Sequence, residues 1–144
     1  MGFEITRADV WAGEVEDRPG ALAESLEGLM RAGANLEFVI VRPSAGMPGT
    51  GVLFACPVHG AQQTRAAEQI GLRKSETMHV LRILGPDRPG QGAGIARTLA
   101  EAGLNISGLS AAAIEDRCLF YVRFDTDADA KRAAQILTAK LGGE

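Results

Sequence analysis

The chain has 144 residues with 46% hydrophobic and 23% charged residues, a make-up that fits one ordinary globular domain or two very small ones. Its net charge is −3, and neither half carries the basic footprint of a nucleic-acid binder: residues 1–76 hold ten acids against seven bases, and residues 77–144 hold eight of each. No apolar stretch approaches the length that spans a bilayer.

In chain order, residues 9–16 read as a strand, with Trp11 and Val15 toward a core and Ala12, Glu14 and Glu16 alternating outward. A Pro-Gly turn follows at Pro19 and Gly20. Ala21–Ala32 then has helical spacing, with Leu22, Leu26, Leu29 and Met30 as its apolar stripe. Gly33 stands where a helix C-terminal cap belongs. Leu36–Val41 is a second strand, and 43–51 a hairpin loop. Val52–Val58 is a third strand, with Val52, Phe54, Cys56 and Val58 on its core face and Pro57 at its end. Ala61–Ile70 is a helix, and Leu72–Glu76 a short fourth strand.

The order then recurs. His79–Leu84 is a strand in which Leu81 and Ile83 replace Trp11 and Gly13. Gln91–Ala102 is a helix. Leu109–Ile114 and Cys118–Phe124 form a hairpin around Glu115, Asp116 and Arg117, with Cys118, Phe120, Val122 and Phe124 facing the core. Its turn is read as four residues shorter than its counterpart, an offset of 66 against 70. Asp129–Leu141 is a helix with Ala130, Ala134, Leu137 and Leu141 inward.

The recurrence is visible residue by residue. Residues 10–36 align without a gap onto 80–106, and ten of those 27 positions are identical. They are Val10/Val80, the tetrapeptides Asp17-Arg18-Pro19-Gly20 and Asp87-Arg88-Pro89-Gly90, Ala23/Ala93, Leu29/Leu99, Ala32/Ala102, Gly33/Gly103 and Asn35/Asn105. One folding unit is therefore used twice, in domains 1–76 and 77–144. Each unit reads β-α-β-β-α-(β), and right-handed crossovers with antiparallel hairpins make that a ferredoxin-like α+β sandwich with its helices on one face of the sheet. The second unit has no room for a fourth strand of its own. The alternating segment Phe3–Thr6 is a candidate to fill that edge, from the same chain or from a partner. A sheet face carrying Val39, Val41, Leu53, Ala55, Leu119 and Tyr121, taken to lie opposite the helices, predicts a homodimer.

A strand, Asp-Arg-Pro-Gly, an amphipathic helix, a Gly, then Asn and an apolar residue opening the next strand resembles the ACT domain, over Asp17–Leu36 and again over Asp87–Ile106. The resemblance runs from about Asp9 to Leu141 and implies a tandem ACT protein, similar in layout to small regulators without an attached catalytic domain. ACT domains bind amino acids and similar effectors, and many regulate metabolic enzymes. In the family the effector sits where the first strand–helix loop of one domain faces the start of the second strand of its neighbour. Carried over by motif, the ligand-binding residues are Asp17, Arg18, Pro19, Gly20, Asn35 and Leu36, with Asp87, Arg88, Pro89, Gly90, Asn105 and Ile106.

The chemistry of these residues is compatible with that role. A helix N-terminus presents unpaired N–H groups and partial positive charge to a carboxylate. Glycine lets backbone approach a ligand, and Asn supplies both a donor and an acceptor. Each residue also has an ordinary reading: Asp17 and Asp87 suit a turn or helix cap, Arg18 and Arg88 a solvated surface, and the asparagines a turn. Gly92 replaces the Leu22 of the first repeat, so the two sites need not be equivalent. His59 and His79 have no ligand spacing for a metal, no cofactor motif of usual length is present, and no nucleophile–base pair has a local signature. The expected function is a non-enzymatic amino-acid sensor with its effector at the interface between the repeats. The alternative is a ligand-independent subunit that binds a metabolic enzyme. A small enzyme on this scaffold is a further reading. RNA binding is disfavoured by the acidic charge and the few aromatics. Cys56 and Cys118 read as reduced core residues, and with no signal peptide they point to the cytoplasm.

Overall fold

The computed structural model describes residues 2–142. Among them are eight strands and four helices: β1 (Glu4–Ala8), β2 (Trp11–Glu16), α1 (Ala21–Arg31), β3 (Phe38–Pro43), β4 (Thr50–Cys56), α2 (Gly60–Gln69), β5 (Arg73–Lys74), β6 (His79–Pro86), α3 (Gln91–Glu101), β7 (Ile106–Ile114), β8 (Arg117–Phe124) and α4 (Asp127–Leu141). They form two antiparallel four-stranded sheets, ordered β3-β4-β2-β5 and β1-β6-β8-β7. Each is an α+β ferredoxin-like unit, as the recurrence predicts.

The units divide as Asp9–Ser75 and as residues 1–8 with 76–144. This differs from a boundary drawn at 76/77, because residues 2–8 fold with the second unit. β1 takes the outer position beside β6 that β5 takes beside β2. The open edge of the second repeat is therefore filled from the same chain. Phe3 is the anchor. Its N–H donates to the Leu141 carbonyl at 3.1 Å, and its ring lies over Gly85, where any Cβ would collide with it. Phe3 and Ile5 pack on a core of Leu81, Ile83, Leu99, Phe120, Phe124 and Leu137, among others. Two ion pairs fasten β1 further: Arg82–Glu4 at 2.8 Å and Arg7–Asp127 at 2.9 Å. Lys131, then Arg7, hold the Asp127 carboxyl below its ordinary range.

The first unit keeps a smaller core of Trp11, Val15, Ala21, Leu29, Leu53, Ala67 and Leu72. Its register corrects the sequence reading of β4. Trp11 pairs with Ala55 and Gly13 with Leu53, so Leu53 and Ala55 share the core face, while Phe54 and Val52 face the other way with Ala12 and Glu14. Val39 and Val41 pair with Ala55 and Leu53, so they too lie on the helix side. The apolar face assigned opposite the helices is thus not the one these four residues occupy. In the second unit Leu81 pairs with Val122 and Ile83 with Phe120, and the predicted core face of β8 holds. Leu81 follows Trp11 by 70 positions and Val122 follows Ala55 by 67, so the second hairpin is three residues shorter, not four. A slip of one residue inverts every side chain of a strand.

On α1 only Ala21 and Leu29 are fully buried; Leu22 and Met30 of the predicted stripe are exposed, Met30 by 61%. Gly33 and Gly103 adopt positive φ just past their helices, as a C-terminal glycine does. Cys56 and Cys118 are buried and form no disulfide.

Removing Phe3 should cost the second unit specifically. Phe3→Ala is expected to lower stability by about 2 kcal/mol, below the range for a fully buried Phe because the ring is only half-buried. Deleting residues 1–8 should abolish cooperative unfolding of residues 76–144. Both are checked by denaturant titration with hydrogen exchange resolved by segment.

Candidate functional site

The two Asp-Arg-Pro-Gly loops fold the same way because their sequence prescribes one turn. The N–H of Ala21 donates to the Arg18 carbonyl at 3.2 Å, and that of Gln91 to the Arg88 carbonyl at 3.3 Å. The intervening residues are Pro, then Gly at φ 91° and 89°. This is a type II turn, in which Pro sets φ at the second position and only Gly fits the third comfortably. Gly20 and Gly90 are also the helix N-caps, and neither helix has a side-chain cap. The capping role considered for Asp17 and Asp87 is therefore not what the structure assigns. Their backbone N–H groups instead fasten each loop to the tip of its own hairpin, Asp17 to the Gly49 carbonyl at 3.0 Å and Asp87 to the Asp116 carbonyl at 2.9 Å. Both aspartates, both arginines and both prolines are exposed.

Glycine at the cap leaves the second and third amides of each helix, Leu22 and Ala23 or Gly92 and Ala93, without a side-chain acceptor. An anion placed there meets N–H groups and the positive end of the helix.

The loops diverge in charge. Arg18 is spent within its own unit. Its Nε donates to Glu16 Oε1 at 2.7 Å, its Nη2 to Glu24 Oε1 at 3.0 Å, and its Nη1 to the Pro19 carbonyl at 3.3 Å. Hydrogen bonds to Glu24, then to Glu16, push the guanidinium further above its usual pKa. In the second repeat Glu16 becomes Pro86 and Glu24 becomes Gly94. Arg88 makes no ion pair or side-chain hydrogen bond with any described residue. Glu16, Asp17 and Glu24 against Arg18 leave the first loop two charges negative, whereas Asp87 against Arg88 leaves the second neutral.

Space diverges too. Nothing lies within 4 Å of a Cβ built on Gly90 or Gly94, and one on Gly92 would touch only the Phe120 ring, at 3.4 Å. Under this loop the Cys118 thiol donates to the Pro86 carbonyl at 3.3 Å. Burial, with Asp87 nearby, raises its pKa, which keeps it a protonated thiol and a poor nucleophile.

The asparagines sit elsewhere. β2 ends at Glu16 opposite Thr50, whereas Phe38 at the start of β3 pairs with Cys56 at the far end of β4. Within a unit, the loop and the asparagine lie at opposite ends of the sheet, separated by an 11-residue helix about 16 Å long. No unit brings its own loop and asparagine together. Asn35 is exposed, and the strand starts three residues after it rather than at Leu36. Asn105 directly precedes β7 and donates through Nδ2 to Asp125 Oδ2 at 3.4 Å. Leu36 and Ile106 pack against the cores of their units.

Sequence reasoning missed one concavity. A groove of about 330 Å³ between α1 and α2 is lined by Glu24, Gly28, Arg31, Ala32, Arg65 and Ile70, with none of residues 17–20 among its walls. Among the described residues no group of three or more His, Cys, Asp and Glu could hold a metal ion. None of their helices is long and apolar enough to cross a membrane.

Replacing the turn glycine tests the shared geometry. Gly20→Ala and Gly90→Ala should each cost about 1–2 kcal/mol, the penalty for a Cβ at left-handed φ. Equilibrium urea unfolding measures it.

Comparison with known proteins agrees with this architecture. The sequence profile of the ACT domain matches residues 79–140. No curated sequence relative matches the chain. A crystal structure of a protein from Bacteroides thetaiotaomicron superposes with a TM-score of 0.77 at 19% identity, over 94% of this chain and 90% of that one. Aspartokinase alpha and beta subunits give 0.62 at 20% identity, over 96% of each chain. The ligand-free regulatory subunit of aspartate kinase from Thermus thermophilus gives 0.63 at 16%, also over 96% of each. At such identities the likeness establishes the fold, and it extends over both units.

Proposed function

We propose, from the premise that residues 79–140 are an ACT domain, that this chain is a non-catalytic regulatory protein whose second loop, Asp87–Gly90, binds the carboxylate of an amino-acid effector. The observation that carries the reading is the contrast between the two arginines. Among the described residues Arg88 has no side-chain partner beside its glycine-capped helix N-terminus, whereas Arg18 at the equivalent place is held by Glu16 and Glu24. A guanidinium fork and helix amides together match a carboxylate's two oxygens. At the first loop an incoming carboxylate competes with two internal ones and meets net negative charge. Asn35 and Asn105 are retained as proposed contacts for the polar groups of an effector, but since neither lies near the loop of its own unit, each would serve a loop supplied by another unit. The regulatory subunit among the structural neighbours suggests a metabolic enzyme as the partner that reads the bound state. Binding changes that partner only through a difference in affinity between two states of this protein.

A thermal-shift screen of the standard amino acids, followed by calorimetry on any hit, tests the proposal. One effector per chain is expected. Arg88→Gln should weaken binding roughly tenfold to a hundredfold, the worth of a charge-assisted hydrogen bond, and Arg18→Gln should leave it unchanged. Asn35→Ala with Asn105→Ala should also weaken it while the fold persists. Binding that survives Arg88→Gln at full strength would remove the second loop as the site. The absence of any binder would leave the ligand-independent enzyme subunit as the better reading.

A further inference from the structure

The groove between α1 and α2 lies wholly within the unit Asp9–Ser75. Its half-buried lining is small or apolar, from Gly28, Ala32, Ala66 and Ile70. Glycine at 28 lets the two helices come close, since a Cβ there would stand 3.1 Å from the Ile70 side chain. The exposed lining carries the charge. Arg31 comes from α1 and Arg65 from α2, and neither makes an ion pair or side-chain hydrogen bond with any described residue. Gly28 lies against Ile70, and Gly33 beside Gln63, so the helices run antiparallel and Arg31 comes level with residues 65 and 66. The one lining carboxylate, Glu24, belongs to the far end and is already held by Arg18 at 3.0 Å. Two unpartnered guanidiniums at one level of a groove repel each other. They do so in a unit that is acidic as a whole, with eight acids against six bases over residues 9–75. The second repeat does not share the arrangement: Thr98 stands where Gly28 does and Glu101 where Arg31 does.

We propose that this groove is a second binding site, for a small organic phosphate whose phosphoryl group is held between Arg31 and Arg65. Its volume, about 330 Å³, falls within the range of small-molecule pockets, roughly 300–1,000 Å³. The choice of phosphate over carboxylate follows from the number of forks. One guanidinium fork satisfies the two coplanar oxygens of a carboxylate, whereas a phosphate monoester offers three oxygens in a tetrahedral array and accepts forks from two walls. An anion between the arginines also removes their mutual repulsion. Gln62 and Gln69, one turn to either side of Arg65 on the same wall, supply donors and acceptors to the ligand's hydroxyl groups. The half-buried Ala66 and Ile70 give its carbon skeleton an apolar surface. All of these residues belong to one unit, and the site is independent of effector binding at Asp87–Gly90.

Titration of the full, isotope-labelled chain with inorganic phosphate, glycerol 3-phosphate and acetate, at constant ionic strength and followed by NMR, tests it. Both phosphates should shift the Gly28 and Ala66 amides and the Arg65 side-chain Nε–H resonance, with dissociation constants of about 1 mM or below, and acetate should not. Arg31→Gln and Arg65→Gln, both at exposed positions, should each weaken phosphate binding at least tenfold with an unchanged circular dichroism spectrum. Arg73→Gln, on β5, and Arg88→Gln, at the second loop, should leave it unchanged. Absence of binding by either phosphate up to about 10 mM overturns the proposal. So does binding that survives both groove substitutions together, or that Arg73→Gln or Arg88→Gln weakens as much. Acetate binding with the affinity of phosphate overturns the phosphate assignment.

Discussion

The structure depends on one strand pairing: β1 against β6. Without it the second unit would be three strands with a bare inner edge, and β6 carries Leu81 and Ile83, two of the most buried residues in the molecule. An unpaired edge next to such a core invites association with another chain. Supplying the missing strand from the N-terminus has a topological consequence. The first unit becomes an insertion between β1 and β6, entered at Asp9 and left at Ser75. An insertion needs its two ends side by side. They are: the Ser75 N–H donates to the Val10 carbonyl at 2.9 Å, and Lys74 reaches Asp9 at 3.5 Å. The short strand β5, running back along β2, brings the exit beside the entrance.

Repetition preserves backbone more faithfully than charge. The two loops share a tetrapeptide, a turn type, a glycine cap and a hydrogen bond to the hairpin tip. The residues that set their electrostatics lie just outside the tetrapeptide, at Glu16 against Pro86 and Glu24 against Gly94. Ion pairs on an exposed surface contribute little to stability, commonly under about 1 kcal/mol each. Selection on stability alone therefore leaves those positions free to drift, and a duplicated site can lose its affinity for a carboxylate without any damage to the fold.

This explains which parts of the molecule were legible in the sequence. Element order, the Pro-Gly turn and the C-terminal glycine at Gly33 are local and periodic, and they could be read directly, whereas the N-caps were read as Asp17 and Asp87 and are Gly20 and Gly90. The core face of β8 was legible because Cys118, Phe120, Val122 and Phe124 are all apolar, whereas the alternating set, Arg117, Leu119, Tyr121 and Arg123, is interrupted by two charges. In β4 both alternating sets are apolar, Val52 and Phe54 against Leu53 and Ala55, so periodicity cannot choose between them. Only the register with Trp11 does so, and that depends on the length of a hairpin. The pairing of Arg18 with Glu24 spans a turn and the first coil of a helix, a distance at which a motif carries no signal. The separation of each asparagine from its own loop follows from strand direction and was implicit in the βαββ order. The place of β1 was legible as a need, because the second repeat lacked a strand, and as a candidate in Phe3–Thr6, but not as an intrachain solution.

The first turn of α3 carries the last physical argument. Gly92 and Gly94 each cost a helix interior up to roughly 1 kcal/mol relative to alanine, less near the terminus. No steric demand on this unit accounts for Gly94, since a Cβ there meets nothing within 4 Å. At Gly92 a Cβ would only touch Phe120 at ordinary contact distance. α1 at the same places has Leu22 and Glu24, so the fold tolerates side chains there. Helix stability is thus forgone at two positions where packing does not require it. Local choices that contradict the fold's own preference concentrate where a surface is used. Here they clear the approach to the Gly92 and Ala93 amides and strip Arg88 of the carboxylate that its counterpart holds. Steric access and a positive charge that no described residue holds change together in the same turn of one repeat, in part through the single replacement of Glu24 by Gly94.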